Sequence, residues 1–381
     1  MPAEPILLDR PDTAARELAR IASAREIAVD TEGASFHRFI DRIYLLQLST
    51  PDRSSIIDPL AVTPETLAPL GAMLEDPNVE TVFHDADYDL RLLRQDYDWQ
   101  VRNIFDTRVA AQLLGLKAFG LAALLERYFA VKLDKKHQRA DWSMRPLSGD
   151  MLAYAAQDTE YLLELRDRMR EELRARERLE WAREEFARLE GTRWADDAPG
   201  SAYLRLKGAR DLSRRELAVL RELVPWRDDV ARALDRATFR VIGNEQLLEL
   251  SRVQPRTRED LQRVRGISRG ILEKRSAEVL EAVQRGLAVP EADLPKFSRS
   301  PRWDRDPRFD TRVSALKTVR DTAAADLDLD PGVLCARDRM EAVARANPRT
   351  REELAQVAEL RNWQREVLGD GFVRALAGVA G

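Results

Sequence analysis

The hydrophobic and polar positions of this 381-residue chain change their spacing about halfway along it. In the first half, up to about residue 190, short apolar runs alternate with amphipathic stretches, which predicts strands and helices in turn. The runs EIAVDTE, IYLLQLST and SSIID lie close together and predict three antiparallel strands, whereas TVFHD predicts a parallel strand reached through a helix. Beyond Asp211 the apolar positions follow helical spacing only. We therefore expect a mixed α/β domain followed by all-α domains.

Two carboxylates share one face of the first predicted strand, which runs from Glu26 to Glu32. Because side chains alternate across a strand, Asp30 and Glu32 lie opposite Ile27 and Val29. Neighbouring carboxylates repel each other unless something neutralises them, and a divalent cation with oxygen ligands does so well. The alternative interpretation is an acidic pair at a solvated strand end.

An aspartate interrupts the apolar face of a helix predicted from Asp85 to Gln95. Asp85 and Asp87 suit the first turn of a helix, where caps and the helix dipole favour acidic residues. Asp89 lies on the apolar stripe instead, where a carboxylate is costly unless it is paired or bound to a metal. A metal ligand and a buried salt bridge to an arginine are the two interpretations.

A second aspartate interrupts the apolar face of a helix predicted from about Gly149 through Met169, which Ser148 can cap. This aspartate is Asp158, and Tyr154 lies four residues earlier on the same surface of the helix. Taken alone, Tyr154 is typical of a core tyrosine with a satisfied hydroxyl group. Its place beside Asp158 favours a role at a functional site.

Together, four carboxylates and a phenol predict a site for two divalent cations, and hence a metal-dependent phosphoryl-transfer enzyme. Other candidates are weaker. Asp106 is predicted to cap the helix that follows it rather than to act in catalysis. His37, His84 and His137 do not have the spacing of zinc ligands. Cys335 is the only cysteine, which excludes an internal disulfide.

The ordered set of motifs resembles the DEDD superfamily of 3′–5′ exonucleases. DTE, HDADYDL and YAAQD occur in that order, roughly sixty residues apart. A tyrosine four residues before the last aspartate is similar to the tyrosine-type branch, whereas the catalytic histidine of the histidine-type branch would stand at Ala153. The surrounding strings YLLQLST and DWSMRPLSGDMLAYAAQDTEYL narrow the resemblance to the bacterial ribonuclease D family.

The resemblance implies a ribonuclease H-like sheet flanked by helices, with two Mg²⁺ or Mn²⁺ ions at its site. By this resemblance Asp30, Glu32 and Asp158 bind one ion. Asp30 also reaches the second ion, to which Asp89 is linked directly or through water. Because a phenol with a reference pKa near 10 is a poor base at neutral pH, Tyr154 is expected to position the attacking water.

The basic stretch from Lys132 to Arg145 is expected to contact the substrate near this site. Its positive charges and its tryptophan suit phosphate contacts and base stacking. The alternative is a solvated loop that a buried Trp142 anchors to the core. The candidate substrate-binding residues are Gln47, His84, Lys135, Lys136, Trp142 and Arg145.

An internal repeat in the helical half predicts two copies of one small domain. QPRTREDL, starting at Gln254, recurs as NPRTREEL at Asn347, a spacing of 93 residues. In each copy proline ends one helix and threonine can cap the next. The first copy resembles an HRDC domain, a helical module of ribonuclease D and of RecQ-type helicases. The second departs from it where ELRNW at 359–363 replaces the turn around Gly266.

The expected domain order is a DEDD-type exonuclease domain over 1–195, a first HRDC domain over 208–290, a linker over 291–311 and a second, degenerate HRDC-like domain over 312–381. The first HRDC-like copy is expected to bind the substrate, and a purely structural bracing role is the alternative. For the second copy both interpretations stay open.

Composition limits the remaining choices. The chain is 44% hydrophobic and 34% charged, with no apolar run long enough to span a membrane and no signal segment, so a cytoplasmic protein is expected. The net charge of −4 means that RNA must be bound by local basic patches and by the metals.

The expected function is a 3′–5′ exoribonuclease that releases nucleoside 5′-monophosphates. The resemblance implies RNA with a single-stranded 3′ end, such as a tRNA precursor, as its partner. A DNA 3′–5′ exonuclease is the first alternative, because the same carboxylates serve both substrates and the sequence reveals no contact to a 2′-hydroxyl group. A non-catalytic RNA-binding scaffold is the second, and the intact set of five residues argues against it.

Overall fold

The computed structural model describes residues 5–133, 136–195, 200–297 and 306–380. The strands are β1 (Ile6–Leu8), β2 (Glu26–Glu32), β3 (Leu45–Thr50), β4 (Arg53–Ile57), β5 (Glu80–Phe83) and β6 (Ile104–Asp106). The helices associated with the sheet are α1 (Pro11–Ile21), α2 (Pro64–Glu75), α3 (Asp87–Tyr97), α4 (Thr107–Leu113), α5 (Leu121–Phe129), α6 (Gly149–Glu160), α7 (Leu162–Ala175) and α8 (Leu179–Leu189).

The rest of the described chain is helical, as its spacing of apolar residues predicts. These helices are α9 (Arg214–Leu234), α10 (Thr238–Val241), α11 (Asn244–Val253), α12 (Arg258–Arg263), α13 (Arg269–Lys274), α14 (Ser276–Ala288), α15 (Phe309–Asp326), α16 (Pro331–Leu334), α17 (Arg337–Ala346), α18 (Arg351–Ala355) and α19 (Asn362–Ala380). Short 3₁₀ helices lie at Ala202–Arg205, Ala209–Asp211 and Glu291–Asp293.

The strands form one mixed sheet in the order β1-β4-β3-β2-β5-β6. β2, β3 and β4 are antiparallel neighbours, and β5 pairs in parallel with the other edge of β2. This arrangement confirms the predicted α/β fold with three antiparallel strands and a parallel fourth. β1 and β6 are not predicted from the sequence, because strands of three residues are too short to show an alternating pattern.

Each face of the sheet is covered by its own hydrophobic core. Ile27 and Val29 of β2 pack into the core that contains α1, α2 and α3, whereas Ala28 packs into the core that contains α4, α7 and α8. Because β2 lies between β3 and β5, the Asp30 and Glu32 positions at its end are central in the sheet. Because side chains alternate along a strand, Asp30 and Glu32 lie on the same face as Ala28, where α6 and α7 pack.

Two helices have bounds that differ from those predicted from the sequence. α3 starts at Asp87, because Asp85 has a φ of 67° and cannot continue a right-handed helix. The helix predicted from Gly149 through Met169 is two helices that meet at Tyr161. α6 packs across β2, β3 and β4, whereas α7 packs on β2, β5 and α4, so the chain changes direction between two sets of contacts. Such a break depends on tertiary packing, which local propensity does not show.

The chain forms two compact units, and the first joins the sheet domain to the second repeat. Within this unit Trp181 of α8 stacks on Trp363 of α19, with ring centroids 4.9 Å apart. Glu185 accepts a hydrogen bond from Trp363 Nε1 at 2.9 Å, and Glu184 accepts one from the backbone N–H of Asn362 at 2.8 Å. The sequence by which the second repeat departs from the first therefore packs against α8.

The second compact unit contains 194–195, 200–297 and a loop from far earlier in the chain, 33–42. This loop joins β2 to β3, and its His37 carbonyl accepts a hydrogen bond from the backbone N–H of Ala237 at 3.2 Å. Thr257 caps α12 in a capping box with Asp260, and in the first unit Thr350 caps α18. These caps confirm the predicted role of both repeat threonines.

None of the helices in the described parts of the chain combines the length and the apolar character that crossing a membrane would require.

Candidate active site

Three carboxylates from two elements meet at the end of β2. Asp30, Glu32 and Asp158 each offer an oxygen atom, and these atoms lie within 4.8 Å of one another. Asp30 and Glu32 share a strand face, and Asp158 comes from α6, which packs across that strand. Oxygens bound to one Mg²⁺ at about 2.1 Å are at most about 4.2 Å apart, so small side-chain rotations bring the three to one ion.

The fourth carboxylate, Asp89, is held next to this group by a threonine. Asp89 is 5% exposed, and its Oδ1 accepts hydrogen bonds from the backbone N–H of Thr31 at 3.0 Å and from its hydroxyl at 2.6 Å. Among the described residues no arginine pairs with Asp89 in a salt bridge. Thr31 is not among the site residues predicted from the sequence, although a hydroxyl residue between two strand carboxylates is a signal for such a contact.

Burial raises the pKa of all four carboxyl groups. Burial raises the pKa of Asp158 to about 7. It also raises the pKa of Asp89 to about 7, although the hydrogen bonds from Thr31 act to lower it. Burial first, and then repulsion from the neighbouring carboxylates, raises the pKa of Asp30 and of Glu32 well above the usual range. A divalent cation removes this penalty, and a set of oxygen donors alone suits a hard cation. The cluster thus fits a divalent metal ion.

Tyr154 lies one helical turn before Asp158 and is half-buried. Its ring contacts that of His137 edge-on at 5.8 Å and lies tilted 6.1 Å from that of Trp142. Trp142 is 1% exposed, so in this conformation its indole ring supports Tyr154 and its face is not open to a base.

Gln47 and His84 are also predicted to contact the substrate, and they differ in their hydrogen bonds. Gln47 is fully buried and pairs in register with Asp30, and neither its amide nitrogen nor its amide oxygen has a hydrogen-bond partner among the described residues. His84 lies 2.9 Å from the Thr107 hydroxyl, and burial, with a smaller effect of Arg108, lowers its pKa to about 4.

The sequence predicts that two lysines of the basic stretch, Lys135 and Lys136, contact the substrate. Lys136 Nζ lies 3.5 Å from Asp150 Oδ2, and both side chains are exposed. Lys135 lies outside the described residues.

Asp106 caps α4 as predicted, and it also supports α3. Its carboxylate accepts hydrogen bonds from the backbone N–H groups of Arg108 and Val109 in α4 at 2.8 and 3.1 Å. It also accepts one from Ala86 at 2.8 Å, just before the helix that carries Asp89. This second contact, across twenty residues, is not visible in the sequence.

Arg145 is bound on several sides by protein groups. Its Nε and Nη2 donate to the two oxygens of Asp58 at 2.5 and 2.8 Å, and Nη2 also donates to the Tyr44 carbonyl at 2.8 Å. Nη1 donates to the Trp142 carbonyl at 2.7 Å. Asp58 is buried, and Arg145 forms an ion pair with it.

We expect Arg145→Gln to lower the free energy of unfolding by about 2–3 kcal/mol, because it leaves the Asp58 carboxylate buried without its cation. Urea denaturation measures the change, and Arg145→Gln combined with Asp58→Asn should recover part of it. Unchanged stability together with a tenfold weaker RNA affinity would instead support the predicted substrate contact.

The chain is similar to known nucleases along nearly its whole length. Residues 6–174 match the family model described as 3′-5′ exonuclease, and residues 216–283 and 310–376 match the HRDC domain model. The second HRDC match confirms that the degenerate repeat is a copy of the same domain.

Relatives named ribonuclease D are about 30% identical to this chain. That of Acidiphilium cryptum is 30% identical over 98% of this chain and 94% of its own, and that of Granulibacter bethesdensis is 31% identical over 96% and 91%. The crystal structure of Escherichia coli RNase D has the same fold, with a TM-score of 0.76 at 24% identity over 99% of both chains. Identity at this level, over both the nuclease and HRDC regions, means that the chain belongs to the ribonuclease D family and is a 3′–5′ exoribonuclease.

Proposed function

We propose that this exoribonuclease trims the single-stranded 3′ tails of structured RNAs, such as tRNA precursors, and releases nucleoside 5′-monophosphates. The carboxylate cluster at the end of β2 carries the chemical part of this proposal. The choice of RNA is supported by Escherichia coli RNase D, which is described as an exoribonuclease involved in structured RNA processing. The cytoplasm is the proposed compartment, in keeping with an RNA substrate.

The proposed metal centre holds two ions, Mg²⁺ or Mn²⁺. Asp30, Glu32 and Asp158 bind the first, and Asp30 and Asp89 hold the second. The distances among the first three carboxylates and the separate anchoring of Asp89 by Thr31 support this division. When bound, such a pair of ions activates water and stabilises the charge on the scissile phosphate and on the leaving 3′ oxygen.

The remaining proposed roles belong to side chains around the ions. The Tyr154 hydroxyl positions the attacking water by a hydrogen bond, since a phenol with a pKa near 10 rarely loses its proton at neutral pH. The rings of His137 and Trp142 keep Tyr154 in place. The lysines at 135 and 136 are the proposed substrate contacts, whereas Gln47 is fully buried beside Asp30. His84, neutral because of its lowered pKa, offers a ring nitrogen to the substrate.

The proposed domains divide the work. The exonuclease domain, 1–195, cleaves the tail, and the first HRDC domain, 208–290, holds the RNA body. The second HRDC-like domain, 312–381, follows the linker 291–311 and braces the exonuclease domain. The stacked Trp181 and Trp363 and the carboxylate cap on α19 support this bracing role.

The test uses a 5′-labelled RNA hairpin with a single-stranded 3′ tail, incubated with the purified protein and Mg²⁺. We expect the tail to shorten one nucleotide at a time until the hairpin is reached, with nucleoside 5′-monophosphates as the products. The same tail without a hairpin shows how much the structured body contributes. Products that carry a 3′-phosphate would contradict the proposed chemistry, because water would then have displaced the wrong oxygen.

A further inference from the structure

A group of exposed apolar side chains lies on the second compact unit, which combines the loop 33–42 with the helices of the first HRDC domain. We call this group the aromatic platform; it consists of Phe36 and Ile40 from the loop, Leu234 at the end of α9, and Phe239 in α10. Their exposed fractions are 48%, 58%, 47% and 52%. The Phe36 and Phe239 rings meet edge-to-face, with centroids 6.2 Å apart. Exposed apolar groups of this kind mark binding surfaces more often than isolated exposed residues do.

Hydrogen bonds between the loop 33–42 and residues 235–240 hold the platform in place. Arg38 Nη1 lies 3.0 Å from Asp235 Oδ2, and the backbone N–H of Phe39 donates to the same carboxylate at 3.4 Å. Arg240 donates from Nε to the Phe36 carbonyl, and its Nη2 lies 3.3 Å from His37 Nδ1. Both phenylalanines are therefore presented on ordered backbone, which lowers the entropy cost of binding to them.

Arginines surround the platform in a protein whose net charge is −4. Arg42, Arg232, Arg236 and Arg240 are all exposed. The guanidinium group of Arg240 lies 5.9 Å from the Phe239 ring centroid, and that of Arg232 lies 5.0 Å from the Phe39 ring centroid. Aromatic rings with interleaved arginines suit single-stranded nucleic acid, because bases stack on the rings while guanidinium groups neutralise phosphates.

We propose that the aromatic platform binds the single-stranded tail of the RNA substrate, with bases stacked on Phe36 and Phe239 and phosphates paired with Arg42 and Arg236. This inference rests on the proposed function, in which the substrate carries a single-stranded 3′ tail. The platform gives the first HRDC domain a direct part in holding the tail, beside its proposed part in holding the RNA body. The arginine side chains stacked beside aromatic rings favour RNA over an apolar protein partner.

The test measures RNA affinity in EDTA, so that cleavage plays no part. Two hairpins are compared by fluorescence anisotropy, one with a 3′ tail of about 12 nucleotides and one with a tail of about 2. The variants are Phe36→Leu, Phe239→Leu and the double variant, which keep apolar bulk but lose the flat ring. Phe36→Trp and Phe239→Trp restore a stacking surface. Val253→Ala, an equally exposed apolar position in α11, is the matched control.

We expect each leucine variant to weaken binding of the long-tailed hairpin about 5- to 150-fold, the range that base stacking on an aromatic ring provides. The tryptophan variants should bind the long-tailed hairpin with an affinity within about twofold of that of the natural protein. All the variants should bind the short-tailed hairpin with similar affinities. Arg236→Gln should reduce the slope of log affinity against log salt by about 1.

Equal affinity of the natural protein and the double leucine variant for the long tail would overturn the proposal. Equal losses for both hairpins would also overturn it, because the effect would then not come from the tail. A variant that fails to fold is identified by its circular dichroism spectrum and by comparing its binding with that of the other single variant. Since no metal is present, a failure of the proposed metal centre would appear only in cleavage assays and would leave this result unchanged.

Discussion

Replacing Asp158 with asparagine is expected to lower the rate of RNA hydrolysis by about a thousand-fold or more and to leave the fold intact. The substitution replaces a charged oxygen of the carboxylate group with a neutral amide, which binds hard divalent cations weakly. It also removes one of the charges that raise the pKa of Asp30 and Glu32. The metal-free variant should therefore melt at the same temperature as the natural protein or above it.

The matched control is Asp150→Asn. Asp150 is in the first turn of the same helix, but its side chain is exposed and its charge faces Lys136 rather than the cluster. We expect this control to retain hydrolysis within about twofold, in line with the small contribution of exposed ion pairs. Single-turnover rates and melting temperatures of the three proteins give the comparison. A similar loss in both variants, or nearly normal activity in Asp158→Asn, would remove Asp158 from the metal centre.

Removing divalent metal is expected to abolish hydrolysis and to change how stability depends on pH. In the unfolded chain an aspartate titrates near pH 4, whereas burial raises the pKa of Asp89 and that of Asp158 to about 7 in the folded protein. Between these values the folded state binds more protons than the unfolded state. The contribution of these groups to the free energy of unfolding is therefore fully present below pH 4 and is lost as the pH rises to about 7.

Adding Mg²⁺ should reverse this loss, because the ion binds the deprotonated carboxylates. We expect Mg²⁺ to raise the melting temperature more at pH 8 than at pH 5, where protons compete with the metal. Asp158→Asn should show a smaller increase at both pH values, which separates the cluster from other titrating groups. An increase that is equal at pH 5 and pH 8 would contradict the assignment of these raised pKa values to the metal site.

Features set by neighbouring residues could be predicted from the sequence. The alternation in EIAVDTE predicts β2 with its bounds and its two carboxylates on one face. Asp89 is a charged residue on the apolar stripe of α3, which predicts a buried carboxylate that is bound to a metal or paired with an arginine. In the structure Asp89 is buried. The repeat threonines predict helix starts, because capping depends on residues three positions away.

Features that depend on distant residues could not be predicted in this way. The hydrogen bond from Thr31 to Asp89 joins residues 58 positions apart. Trp363, in the ELRNW segment that replaces the turn of the first repeat, stacks on Trp181, and only the folded chain brings the two rings together. Likewise, the loop 33–42 follows the DTE motif in sequence and yet belongs to the compact unit of the first HRDC domain.

The central claim is that RNA is shortened from its 3′ end at a metal centre built by Asp30, Glu32, Asp89 and Asp158 with Tyr154. The most direct test incubates 5′-labelled tailed RNA with the natural protein in Mg²⁺, in Mn²⁺ and in EDTA, beside Asp158→Asn and beside DNA of the same sequence. We predict a ladder of products that shorten stepwise from the 3′ end of the RNA, that require metal and that are absent with the variant. A ladder that persists in EDTA or with Asp158→Asn would contradict the account.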